Sequence, residues 1–264
     1  MHLSPRSVSV LVLGSGTSTG VPTIGCDCPV CTSADPRDQR LRPSVLVRSN
    51  GRNFLVDTTP DFRAQALRAR IQRIDAILFT HDHADHILGL DDVRPYNYHQ
   101  GPIPIFAAED TMASVRRVFR YIFEGRSESS VPRLEVHTLN GGPFCLFGVE
   151  ITPVPLRHGT RWIYGFRFGP VAYLTDHSEI PEESMALLGG LDVLFLDALR
   201  HRPHPTHTTV AQALSYVERL RPKSAVFTHL SHELEHAATQ ARLPEGVYLA
   251  YDGLEVCSDE AKPL

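Results

Sequence analysis

No apolar run in this chain approaches the length of a membrane span, so a helical membrane anchor is not expected. No basic block offers the counterion release that drives binding to a nucleic-acid backbone, and the formal net charge is −4. Nucleic acid is therefore an unlikely partner. The opening residues, Met1-His2-Leu3-Ser4-Pro5-Arg6, lack the charged-then-apolar order of a secretory leader, which makes a cytoplasmic location the expectation. Internal repeats, low-complexity runs and linkers are missing too, so residues 1–264 read as one large domain. Cysteine is scarce, at five residues. Cys26, Cys28 and Cys31 share one loop, a grouping that suits a metal site better than a disulfide framework in a reducing compartment. Cys145 and Cys257 stand alone and read as small buried hydrophobes.

Many short apolar runs are present. Val8–Leu13, Ser44–Arg48, Asn53–Val56, Ile74–Thr80, Ile103–Phe106 and Leu134–His137 read as strands, the second and third joined at Asn50-Gly51. Cys145–Leu156, Ile163–Phe168, Val171–Leu174, Val193–Leu196, Ala225–Thr228, Val247–Ala250 and Leu254–Val256 form a second set. Helical patterns cover Asp61–Arg70, with Asp61 as cap, then Thr111–Phe123, Pro181–Leu188 and Val210–Leu220, and a last helix begins near Ser231. Two groups of strands with helices between them imply two packed sheets flanked by helices.

The densest chemistry is His81-Asp82-His83-Ala84-Asp85-His86, at the end of the Ile74–Thr80 run. Imidazole and carboxylate are ligands for borderline divalent cations. In extended backbone His81 and His83 point the same way and can hold one ion. Asp85 and His86 lie past a turn and can face a second. Further ligands are expected at other strand ends, where His158, Asp176 and His229 each follow an apolar run. Cys26-x-Cys28-x-x-Cys31 supplies three corners of a tetrahedral zinc and requires a fourth ligand.

This ordered set resembles the metallo-β-lactamase superfamily, an α/β fold built as a four-layer αββα sandwich. The resemblance implies that His81, His83 and His158 hold one metal, that Asp85, His86 and His229 hold another, and that Asp176 bridges them. Asp57 matches the family's early aspartate, which supports the ligands from behind. Two divalent ions, zinc or manganese, would lower the pKa of a shared water and neutralise charge on a phosphoryl or acyl oxygen.

Gly14-Ser15-Gly16-Thr17-Ser18-Thr19-Gly20-Val21-Pro22, the cysteine loop, and the pair His207 and His232 narrow the resemblance to the phosphoribosyl cyclic phosphodiesterase branch. That branch implies a structural zinc on Cys26, Cys28, Cys31 and His232, within a loop spanning about 15–43. It also implies that His207 is a phosphate-contacting general acid. A proton donor near the leaving alkoxide suits a phosphodiester and leaves lactam hydrolysis without a use for it.

The expected activity is hydrolysis of a small cyclic phosphate or nucleotide ester, with Asp85 and Asp57 completing the catalytic set. Relatives in the branch are often homodimers. Thioester or lactam hydrolysis, tRNA 3′-end processing and a non-catalytic carrier role in coenzyme biosynthesis are the competing readings.

The segment 91–135, with Arg94, Tyr96, Tyr98 and the run from Arg116 to Arg126, reads first as helix with a solvated basic face and second as a substrate wall. His99, His137, His177, His201, His204 and His236 lack ligand spacing, and His177 is expected at the surface. Asp197, at another strand end, resembles a supporting carboxylate. Asp82 reads as a cap or a solvated loop residue.

Overall fold

The structure, a computed structural model, describes residues 7–124 and 130–259. Met1–Arg6 and the end of the Arg116–Arg126 run lie outside them. Among the described residues, seven strands form the first sheet: β1 (Val8–Gly14), β2 (Ser44–Ser49), β3 (Arg52–Val56), β4 (Ala76–Leu78), β5 (Ile103–Ala107), β6 (Leu134–Thr138) and, from the end of the chain, β14 (Glu255–Cys257). The second sheet runs through β7 (Phe144–Leu146), β8 (Val149–His158), β9 (Arg161–Phe168), β10 (Val171–Leu174), β11 (Val193–Asp197), β12 (Ser224–Thr228) and β13 (Val247–Leu249). β14 pairs antiparallel with β1, so the last strand closes beside the first.

Side-chain alternation explains why the strands read as continuous apolar runs. Along β1, Val8, Val10 and Val12 enter a core shared with Phe168, Tyr173 and Phe195 of the other sheet. Leu11 and Leu13 point the opposite way, into a core under the helices Phe62–Arg68 and Glu109–Val118. Leu194, Leu196 and Phe227 do the same beneath the helix Val210–Leu220. Strands buried on both faces need apolar residues at every position. Three cores between four layers make the αββα sandwich that the sequence implied. No helix of the described residues is long and apolar enough to cross a membrane.

Several boundaries differ from the sequence reading. Cys145–Leu156 is two strands, because Phe147 and Gly148 both take positive φ (52° and 76°) and fold β7 back on β8. Thr111–Phe123 is likewise two helices, Glu109–Val118 and Arg120–Phe123, separated at Phe119. The last helix starts at His236, and Asp61 caps nothing with its side chain, pairing with Arg42 instead. Cys145 is exposed rather than buried, and Cys257 is half-buried.

β3 to β6 are parallel neighbours, and so are β10 to β13. Their carboxyl ends therefore meet on one rim, the usual ligand edge of such sheets. Asp57, His81, Asp176, Asp197 and His229 all lie at or just beyond these ends.

The loop between β1 and β2 is anchored to that rim by a fully buried Arg40 (1% exposed). Its guanidinium donates to the carbonyls of Ser231 at 2.8 Å and Leu234 at 2.6 Å and pairs with buried Asp38 at 2.8 Å. Arg40→Met would leave the buried Asp38 charge without its counter-charge and take the guanidinium donor from both carbonyls. The expected loss is about 3–5 kcal/mol, or a Tm lower by roughly 6–20 °C. Thermal unfolding of the variant checks this, and an unchanged Tm would contradict it.

Candidate metal centre

His81 and His83 lie side by side, with ring centroids 4.5 Å apart, and His158 is 5.4 Å from the first and 5.0 Å from the second. Asp85 and His86 ride on the short helix Ala84–Ile87. This helix is clasped from below: Thr58 N–H donates to the His86 carbonyl, and Gly89 N–H donates back to Thr58. A side chain at Gly89 would start 2.0 Å from the Thr59 carbonyl oxygen, so only glycine fits there.

Asp57, Asp176 and His229 leave their strands with positive φ, at 64°, 59° and 59°. Such conformations cost non-glycine residues of order 1–3 kcal/mol each and gather at functional sites. Here they turn three side chains abruptly off the strand ends and into one cluster.

The lone pairs in that cluster converge. Asp176 Oδ2 lies 3.5 Å from His81 Nε2 and 3.3 Å from His86 Nε2, while its Oδ1 is 2.6 Å from His229 Nδ1. Asp85 Oδ2 is 3.2 Å from His86 Nε2. Yet His81 Nε2, His86 Nε2, His229 Nδ1 and Asp85 Oδ2 are all buried without a hydrogen-bond partner in the structure. Ligand atoms about 2.0–2.2 Å from a shared cation lie about 3.3–3.5 Å from one another, so a cation accounts for the contacts of 3.2–3.5 Å and for their orphaned atoms together. The residues fit divalent metal.

Supporting contacts fix which nitrogen faces inward. Buried Asp57 accepts from Thr80 N–H at 2.8 Å and from His86 Nδ1 at 2.7 Å, leaving His86 Nε2 for the cluster. His158 Nδ1 donates to the Asp176 carbonyl, leaving its own Nε2. Burial holds His81 well below its ordinary range and His158 down to about 4, so both stay neutral, as ligands must. His86 moves the other way. Against its burial, the carboxylates of Asp85, Asp176 and Asp57 draw it well above its usual value, and that density of negative charge is what a divalent cation neutralises.

Thr17 was not singled out by the sequence. Its Oγ1 lies 3.3 Å from His229 Nε2, across 212 residues of chain. If the hydroxyl accepts the Nε2–H, it directs the Nδ1 lone pair into the cluster. Thr17→Val should lower metal affinity about 10- to 100-fold, and Thr17→Ser should restore it. A chelator competition checks this, and equal resistance in wild type and Thr17→Val would overturn it.

His207 sits at the cluster's open side, its ring stacked on His229 at 4.7 Å and edge-on to His158 at 5.1 Å. Asp197, fully buried, holds its Nδ1 at 2.8 Å. Burial pushes this imidazole down, but the Asp197 carboxylate overrides it and carries His207 up to about 9. The strand-end pattern that marked Asp176 also marks Asp197, and the structure ties it to His207. His204 is half-buried, 4.9 Å from the His207 ring. His177 is a correction: it is fully buried, with burial pushing it down to about 3. His236 is buried as well, while His99, His137 and His201 are exposed. Asp82 is neither cap nor free loop residue, since it pairs with Arg161 at 2.6 Å.

The second cluster lies behind His229. The Sγ atoms of Cys26, Cys28 and Cys31 are 3.3, 3.5 and 3.5 Å from His232 Nδ1. One N–H cannot donate to three sulfurs. Those distances are close to the edges of a zinc tetrahedron with bonds near 2.3 and 2.0–2.1 Å, about 3.6 Å. The Cys31 N–H, opposed by burial, takes the Cys28 thiol down to about 6, while burial pushes the neighbouring Cys31 thiol up to about 11.

Residues 52–230 match the model of the beta-lactamase superfamily domain. The chain belongs to the metallo-β-lactamase superfamily. Within it, the chain is 53% identical to a diphosphatase from the PhnP family of known crystal structure, with a TM-score of 0.90 over 95% of this chain and 97% of that one. This places it in the PhnP branch of the superfamily. It is also 38% identical, over 95% of its own length, to an octanoyltransferase of Porphyromonas gingivalis. The chain spans about half of that protein (51%). Zinc-bound PqqB from Methylobacterium extorquens shares the fold alone, at 22% identity and a TM-score of 0.73 over 94% of this chain and 99% of that one. Superfamily membership and this donor set together support a metal-dependent hydrolase.

Proposed function

We propose that this hydrolase is a phosphodiesterase acting on small cyclic phosphate or nucleotide esters. In this reading His81, His83 and His158 hold one divalent ion, Asp85, His86 and His229 hold a second, and Asp176 lies between them. Zinc and manganese both suit such donors. Cys26, Cys28, Cys31 and His232 hold a structural zinc that stiffens the turn carrying His229. A bound pair of ions supplies an activated water at neutral pH and offsets charge on phosphoryl oxygens.

The observation that carries the reading is the His207–Asp197 pair beside the cluster. Asp197 accepts the Nδ1–H at 2.8 Å and fixes the ring, so Nε2 is the nitrogen left to act. A charged imidazole there can bind a phosphoryl oxygen and pass a proton to the departing alkoxide. A thioester makes no comparable demand, because its thiolate leaves without a proton. The 53% identical relative, named a diphosphatase, supports cleavage at phosphorus. The octanoyltransferase name belongs to a protein nearly twice as long, and acyl transfer through a covalent intermediate needs a nucleophile such as cysteine or lysine. The side chains converging here are imidazoles and carboxylates.

The test is a panel of 2′,3′- and 3′,5′-cyclic nucleotides, cyclic ribosyl phosphates, a thioester and a chromogenic cephalosporin, run with Mn²⁺ and with Zn²⁺. Turnover confined to the phosphodiesters is expected. Thioester or cephalosporin hydrolysis without diester hydrolysis would refute the assignment.

A further inference from the structure

Trp162 is the chain's single tryptophan, and it is 55% exposed at the start of β9. An indole presents a large flat apolar surface on which a planar ring can stack. The Arg157 guanidinium lies 4.2 Å from the ring centroid and covers one face. Trp162 also lines a cavity of about 280 Å³ with Ala108, Asp110, Pro155, Ile163 and Tyr164.

The strands that line this cavity are bonded to the metal-binding loops. Arg157 and Trp162 are opposite each other across β8 and β9, next to the pair His158 and Arg161. Arg161 grips Asp82, between His81 and His83, at 2.6 Å. Tyr164 N–H donates to the carbonyl of Thr80, the residue before His81. On the far wall, the helix Glu109–Val118 begins at Ala108 with no side-chain cap. The amides of Glu109 and Asp110 have no intrahelical acceptor and can meet a carbonyl. Asp110 directs Oδ1 to Thr111 N–H at 2.7 Å, and its other oxygen can accept from an amine or amide.

A flat aromatic wall, open amides and a carboxylate together match a planar heterocycle bearing both donors and acceptors. We propose that this cavity is the subsite for the nucleobase of a nucleotide substrate, stacked on Trp162 opposite Arg157, with the phosphoester directed to the metal centre. The proposal rests on the phosphodiesterase reading and sharpens it, favouring base-bearing diesters over bare sugar phosphates.

Two measurements separate the subsite from the chemistry. The first compares KM for adenosine 2′,3′-cyclic phosphate with KM for 1-O-methylribose 2,3-cyclic phosphate, which lacks the base. The preference for the base-bearing diester should fall about 5- to 150-fold in Trp162→Ala, the size of one base–aromatic stack, and Trp162→Phe should recover most of it. The second titrates the metal-loaded wild type with adenosine 5′-monophosphate and follows the emission of the single tryptophan. Saturable quenching is expected, and ribose 5-phosphate should not produce it. If both diesters turn over, but Trp162→Ala keeps the preference and the nucleotide leaves the emission unchanged, the subsite is refuted and the phosphodiesterase reading stands. If neither diester turns over while the nucleotide still quenches, the subsite survives and the phosphodiesterase reading fails.

Discussion

Asp176→Asn should reduce kcat/KM by about three to four orders of magnitude and, on the proposed two-ion centre, take the active-site metal content from two ions to one or none. Asp176 is the side chain that faces both ligand groups, with Oδ1 toward His229 and Oδ2 toward His81 and His86. Asparagine keeps the volume but offers one oxygen in place of two and removes a negative charge from among buried imidazoles. One ligand group then loses its shared donor, and two cations held close together lose the anion between them. The cysteine cluster does not involve Asp176, so its zinc should remain and the fold should hold. Metal analysis together with diester kinetics checks this. Full metal content with near-normal turnover would show that Asp176 does not join two ions.

His207→Ala should lower kcat toward alkyl diesters by about 10²- to 10⁴-fold while leaving metal content unchanged. His207 is not one of the proposed ligands, because its Nδ1 is held by Asp197 at 2.8 Å. The loss should shrink for a nitrophenyl leaving group, which departs without needing a proton. Asp197→Asn should act in the same direction, since an amide holds the ring less firmly and no longer balances its charge. An equal loss for alkyl and aryl leaving groups would make His207 a binding residue only. Full activity in His207→Ala on alkyl esters would remove it from the mechanism.

Much of the centre was legible because its chemistry is local. His81, His83, Asp85 and His86 declare themselves within six residues, and three cysteines do so within another six. His158, Asp176 and His229 could be found because each ends an apolar strand, and parallel strands deliver their ends to one rim. What could not be read depends on contacts between distant parts of the chain. The Thr17 contact with His229, the burial of Arg40 and the burial of His177 exist only once the sheets pack. Arginine is ordinarily exposed, so nothing local marks Arg40 as the residue that supports the 231–234 turn. Phe147 concealed a hairpin because a bulky residue at positive φ is uncommon, and Leu146-Phe147 reads as strand. Asn50-Gly51, with the same positive φ at both positions (58° and 73°), was legible because those residues adopt it readily.

The most direct measurement is ³¹P NMR of a cyclic nucleotide hydrolysed by the metal-loaded protein in H₂¹⁸O. Attack of water at phosphorus places one ¹⁸O in the monoester product, seen as a single upfield isotope shift. A product without ¹⁸O on phosphorus, or no hydrolysis with either Mn²⁺ or Zn²⁺, would contradict the assignment of this centre to phosphodiester cleavage.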